Sequence, residues 1–207
     1  MTAALTPRRT ATLLVLGLTA IFVGYFLVWL PGPSAGLRLI GVEMGEWIKF
    51  LGVGRTRDLF YLPPIALGLL IALWTATWPA GWRAWAARGL AVAVALLAFP
   101  AVASILGEPR GEWLARLMGV GLTALVAALS GFVGRGPGAR WPWPVMAVVA
   151  LAGALLPLWQ YVAVRPVVEN ALRQPVGVGP GVWINALGGV LVAAVCLMKT
   201  FRRNAAA

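Results

Sequence analysis

The sequence predicts an all-α membrane protein: a six-transmembrane helical bundle with both termini cytoplasmic and a short amphipathic interfacial helix in the first outer loop. Three observations carry this reading. The 207 residues are 61% apolar and only 11% charged, whereas soluble chains carry about 25% charged residues to cover their surface. Six apolar stretches each approach the ~20 residues needed to cross a bilayer core. The charges also sort by side: nine Lys/Arg and no acid fall on one side, against eight bases and all six acids on the other. That is the positive-inside pattern, and it orients the chain.

The spans follow in order. The first covers about 10–30, after Arg8 and Arg9 and before Pro31-Gly32-Pro33. An arginine pair before an apolar run also resembles an export signal. The run is longer than a signal-peptide apolar region, however, and cleavage near Ala35 would place Pro33 at an unsuitable position, so an uncleaved helix is expected. The second span, 59–78, has Pro63-Pro64 in its first turns, where missing N–H groups cost least. The third, 89–106, carries Pro100 as a kink. The fourth covers 109–133, the fifth 144–164 with Pro157 interrupting it, and the sixth 182–198.

Short basic segments then lie inside: Arg8/Arg9, Arg83/Arg88, Arg135/Arg140 and Lys199/Arg202/Arg203. Trp29, Trp113, Trp159 and Trp183 at one level, and Trp78, Trp82, Trp85, Trp141 and Trp143 at the other, read as two aromatic belts. Residues 1–207 form one polytopic domain. Its composition, rich in Arg, Ala, Gly, Pro and Trp, points to a GC-rich bacterial genome, and with the apolar spans the expected location is the bacterial cytoplasmic (inner) membrane.

Between the first two spans, Ile40, Met44, Trp47, Ile48 and Leu51 recur at helical spacing. They predict the interfacial helix, over about 36–53, with its apolar side down. Gly17, Ala20 and Gly24, and likewise Gly189 with Ala193, offer small faces for close helix contact.

Histidine is absent, which removes imidazole-dependent metal and haem sites and His-based triads. Ala128-Leu129-Ser130-Gly131 therefore cannot serve as a rhomboid-type nucleophile motif. The lone Cys196 sits in the last span as a small apolar residue. No cofactor and no metal are expected. The net charge of +11 is explained by topology and anionic lipid rather than by nucleic acid.

The candidate binding residues gather at the outer face. Glu43 and Glu46, one helical turn apart, read as a carboxylate pair or as ion-pair partners of Lys49, Arg38, Arg55 and Arg57. Arg116 lies inside the fourth span, four residues after Glu112, in the favourable order for a helical pair. Gln160, Tyr161 and Asn185 fall at the same depth. Polar groups there are costly unless paired or wet. They read either as the lining of a shallow outward pocket under the first loop or as separate interhelical hydrogen bonds.

About 200 residues, six spans and a long first outer loop resemble the substrate-binding components of energy-coupling-factor transporters, a likeness of topology without a motif. It implies recognition of a small solute, as those proteins recognise vitamins or metal ions. Three functions follow as expectations. The first is a small-solute or lipid-handling protein with an outward pocket. The second is a non-catalytic subunit docking on other membrane subunits. The third is a membrane enzyme using Glu43, Glu46, Asp58, Glu108, Glu112 or Glu169 on an extracytoplasmic or lipid-linked substrate. Membrane lipids are partners in all three.

Overall fold

The computed structural model describes residues 6–32, 37–52, 54–132 and 140–204, with 54–55 and 202–204 as backbone alone. The Pro33–Ala35 cleavage reading and Arg135 lie outside the described residues. Helix α1 (Pro7–Phe26) starts where Thr6 accepts a hydrogen bond from the Arg9 amide. Its buried residues Leu14, Gly17, Leu18, Ile21, Gly24 and Tyr25 form one helical stripe. Val15, Leu16, Phe22 and Val23, on the other side, are about half exposed, as an outward apolar surface would be.

That stripe packs on α8 (Pro180–Asn204), α8 packs on α7 (Pro142–Leu172), and α7 packs on α3 (Leu62–Thr75). Helix α4 (Trp82–Ala95) follows on α3, and α6 (Leu114–Leu129) closes against both. Lipid tails are as apolar as leucine, so helices associate in a bilayer by close packing rather than by hydrophobic burial. The small faces serve that purpose inside one chain. A Cβ on Gly24 would lie 2.5 Å from the Asn185 nitrogen, and one on Gly188 would lie 2.8 Å from the Gly17 oxygen. Gly188 therefore supplies the α8 face toward α1. Gly189 turns instead to α7, where its Cβ would meet that of Ala154 at 2.5 Å.

The fold is largely helical, with two corrections. Four helical segments are long and apolar enough to cross a membrane: Pro7–Phe26, Thr56–Thr75, Pro142–Leu172 and Pro180–Phe201. The third and fourth expected spans are shorter. Helix α4 already starts at Trp82, gives way to a 3-10 turn at Leu96–Ala98 and breaks at Pro100, before the six-residue α5 (Val102–Gly107). Proline lacks the N–H that would continue the ladder and disfavours helix at the residue before it. Helix α6 starts only at Leu114, after a 3-10 turn at Arg110–Glu112, so its 16 residues rise about 24 Å at ~1.5 Å each. Conversely, α7 runs unbroken through Pro157 and Pro166 and continues to Leu172, past residue 164 where the fifth span was expected to end.

The second correction is a small antiparallel sheet. Strand β1 (Val28–Pro31) pairs with β2 (Arg38–Ile40), Val28 opposite Ile40 and Leu30 opposite Leu39. It takes the start of the segment read as interfacial helix. What remains is α2 (Gly41–Ile48), begun where Glu43 accepts from the Ile40 amide at 3.1 Å. A 3-10 turn at Lys49–Leu51 follows and ends at Gly52, whose φ of 70° lies in the left-handed region open to glycine. The apolar face of α2 is as expected, with Met44 and Ile48 buried. It rests on the bundle, in a cluster with Tyr25, Trp29, Phe60 and Tyr161, rather than among headgroups.

Trp29 is the centre of that cluster and not part of an aromatic belt. It is 0% exposed. Its ring meets Tyr25 and Phe60 edge-on, at 6.4 and 6.1 Å between centroids. Its Nε1 donates to the Gly24 carbonyl at 2.8 Å, and its own carbonyl accepts from the Gly179 amide at 2.8 Å. Trp143 is likewise in the core. At the opposite end of the bundle Arg88, expected in a basic loop, is a buried residue of α4. Its Nε reaches the Ser130 and Thr75 hydroxyls at 3.1 and 3.3 Å, and its guanidinium lies 4.8 Å from the Trp85 ring centre.

Candidate functional site

Pro100 builds the first half of the site. Breaking the helix there leaves the Ala98 and Phe99 carbonyls without helical partners, and Arg116 of α6 fills the gap. Its Nε donates to the Ala98 oxygen at 3.0 Å and its Nη2 to the Phe99 oxygen at 3.3 Å. Its Nη1 reaches Glu46 Oε1 on α2 at 2.7 Å. Arg116 is 7% exposed, so a guanidinium with five donors in a fixed fork is suited to hold three acceptors at once.

Tyr61 closes this group from beneath α2. Its hydroxyl donates to the same Glu46 oxygen at 2.7 Å, and its ring centre lies 3.7 Å from the Arg116 Cζ. The fit needs Gly45, because a Cβ there would stand 2.4 Å from the Tyr61 Cζ. Partial burial pushes the Glu46 carboxyl up, but the Tyr61 hydroxyl and Arg116 together outweigh it and hold the group below the ordinary carboxylate value.

The second half lies between the end of α2 and the α5–α6 connection. Residues Gly54–Tyr61 form a 3-10 segment that carries Arg57 and Asp58. Arg57, 3% exposed, pairs through Nη2 with Glu112, and Lys49 pairs with Glu108. Glu108 also accepts from the Ser104 hydroxyl at 3.3 Å, and the Lys49 bond lowers its carboxyl below the usual range. These residues, with Gly52, Gly107 and Pro109, line an open cleft of about 480 Å³. Cations stand on one wall and carboxylates on the other. Two groups keep buried atoms with no hydrogen-bond partner among the described residues: Arg57 Nη1 and Asp58 Oδ1.

The seven residues singled out from sequence do not share one pocket wall. Arg116 and Glu46 bond each other. Glu112 pairs with Arg57 rather than with Arg116, because α6 begins after it and the helical spacing of four never forms. Glu43 is spent on the Ile40 amide. Gln160 donates to the Thr56 hydroxyl at 3.1 Å, and the Tyr161 hydroxyl donates to the Gly177 carbonyl at 2.6 Å. Asn185 is buried against Gly24, with its Oδ1 unpartnered among the described residues. Lys49, Arg57, Tyr61 and Glu108 are site residues that no motif marks. The crowding of acids and bases at one end of the chain's topology is the signal that points to them.

No family model, curated protein or solved structure matches this chain. What the arrangement can do therefore rests on its own chemistry. Glu46, Glu108 and Glu112 each pair with a cation and Glu43 accepts from the Ile40 amide, so the cluster chiefly holds opposite charges together. Glu169, the remaining acid named above, pairs with Arg165 at 2.8 Å and caps the Val176 amide at 3.0 Å.

The lowered Glu46 carboxyl makes a pH prediction. A carboxylate depressed in the folded state adds stability above its unfolded value, about 4.3, and loses it as pH falls through the folded value. Amide exchange over Gly41–Ile48 should thus stay flat from neutral pH to about 5 and accelerate below that range once intrinsic exchange is subtracted. Glu46→Gln should exchange faster than wild type from neutral pH to about 5, and the two profiles should converge below that range. A wild-type profile without that acceleration would remove the Glu46 carboxylate as the tie between α2 and Arg116.

Proposed function

We propose that the chain is a multi-pass protein of the bacterial cytoplasmic membrane, with both termini inside and the α2 end outside. It handles a small solute or lipid headgroup at the charged cleft. The observation that carries this is the cleft itself, a space of ligand size lined by Lys49, Arg57, Glu108 and Glu112 in a chain of which only 11% is charged. The orientation rests on the charge sorting, since acids crowd at this end and none lies at the other. The shorter α4–α5 and α6 segments would complete six passes by bringing the rims of the bilayer closer or by shielding one another.

Two features support this reading over a docking subunit or a membrane enzyme. The small faces that suited a docking subunit are used between α1, α8 and α7, and the apolar face of α2 is used on the bundle. A membrane enzyme would draw its acid or base first from Asp58 or Glu43, which form no ion pair among the described residues.

Gly107 gives a clean test, since a Cβ there meets no atom within 4 Å. In a Cys196→Ala background, Gly107→Cys should react with a membrane-impermeant maleimide added outside intact cells. Purified protein should react several-fold more slowly after reconstitution with total membrane lipid, or with a cell metabolite extract, than in lipid-free detergent. Labelling from the inside alone would overturn the orientation. Equal rates under all conditions would overturn the cleft as a binding site.

A further inference from the structure

The cleft has a polarity that narrows its ligand. One wall, from the end of α2 and the 3-10 segment, carries Lys49 and Arg57. The facing wall, the α5–α6 connection, carries Glu108 and Glu112. The four formal charges cancel, so the space favours neither a net anion nor a net cation. The two ion pairs that cross it use only part of its capacity. Arg57 spends Nη2 on Glu112 and keeps Nη1 buried with no partner among the described residues, although the residue lines the cleft. A guanidinium donor held out of water with nothing to give to is a standing cost, and an incoming oxyanion would remove it. Glu112 is the more exposed member of its pair, so it is the side that can swing to admit a ligand.

The rim points to where that ligand comes from. Next to Lys49 stands Phe50, 85% exposed, and next to Gly107 stands Leu106, 83% exposed. Each wall thus ends in a bare apolar side chain beside its charged group. That pairing fits the level where acyl chains meet headgroups, and it is unfavourable around a cleft that opens only to water.

Resting on the cleft being a binding site, we propose that it takes the zwitterionic headgroup of a membrane phospholipid, a phosphate joined to a primary ammonium. The phosphate oxygen accepts from Arg57 Nη1 with Lys49 beside it. The ammonium donates to Glu108 and Glu112. Phe50 and Leu106 rest on the acyl chains.

The test uses the full chain, delipidated in detergent and titrated with phosphatidylethanolamine, phosphatidylcholine or phosphatidylglycerol, with bound lipid counted by native mass spectrometry. Soluble phosphoethanolamine forms a fourth arm. Wild type should retain phosphatidylethanolamine about tenfold better than phosphatidylcholine, whose quaternary nitrogen has no N–H to donate, and better than the anionic phosphatidylglycerol. Arg57→Lys keeps a cation for Glu112 but loses the second donor edge, and should weaken all phospholipids about tenfold. Glu108→Gln/Glu112→Gln should erase the preference over phosphatidylcholine while binding of phosphatidylglycerol rises. Lipids retained without preference yet weakened by Arg57→Lys would overturn the zwitterion and leave the cleft as a site. Arg57-dependent binding of soluble phosphoethanolamine alone would overturn the lipid source. Retention indifferent to Arg57 in every arm would overturn both the inference and the site beneath it.

Discussion

Trp29→Ala should destabilise the protein by about 3–5 kcal/mol, the range for truncating a fully buried large aromatic. The residue has no exposure, and three segments are shaped around it. A Cβ on Gly41 would stand 2.8 Å from its Nε1 and one on Gly181 2.5 Å from its Cδ1, so α2 and the start of α8 both close on the ring. Removing the ring leaves a void that these backbones cannot collapse into without breaking the β1–β2 pairing and the Gly179 bond. Trp29→Phe keeps much of the volume but forfeits the Nε1 bond to Gly24, and should cost about 1–2 kcal/mol. Reversible unfolding in mixed micelles measures both. A Trp at headgroup level, as a belt residue would be, predicts near-neutral substitutions, so Trp29→Ala within 1 kcal/mol of wild type would sink the buried placement.

Arg116→Met should cost about 2–4 kcal/mol. The figure lies below that for breaking a fully buried ion pair because Glu46 is half exposed and can rehydrate once released. The larger share comes from the Ala98 and Phe99 carbonyls, which lose their donors where Pro100 prevents a helical replacement. Arg116→Lys should recover about half of that loss, since one ammonium cannot span two carbonyls and a carboxylate. A double-mutant cycle with Glu46→Gln separates the contributions. Coupling near 1 kcal/mol would assign most of the Arg116 effect to the carbonyls, as the geometry requires. Coupling equal to the whole loss would mean that the ion pair alone matters.

The opposite end offers a comparison. Arg88 is as buried as Arg116, but the partners shown for it are hydroxyls, a carbonyl and the Trp85 ring, on α3, α4 and the turn after α6. Two arginines thus tie α6 to its neighbours, one at each end, and the one near α2 does so partly through the Glu46 carboxylate.

Local chemistry determined what a local sum can determine. Apolar runs set which segments are helical, Pro100 set where the α4 segment breaks, and the spacing of Met44 and Ile48 set which face of α2 is buried. Even the crowding of charge at one end follows from counting along the chain. Partner choice did not follow, because it depends on which distant segments cross. Glu112 and Arg116 have a helical spacing, yet the helix begins between them. Arg116 instead finds Glu46, 70 positions earlier, and Glu112 finds Arg57, 55 positions earlier. Hydropathy likewise assigns Trp29 to a membrane boundary, while the return of β2 and the approach of Gly181 enclose it. Periodicity and composition act within one turn or one span. Ion pairing and burial are decided by contacts between segments that the chain brings together only when it folds.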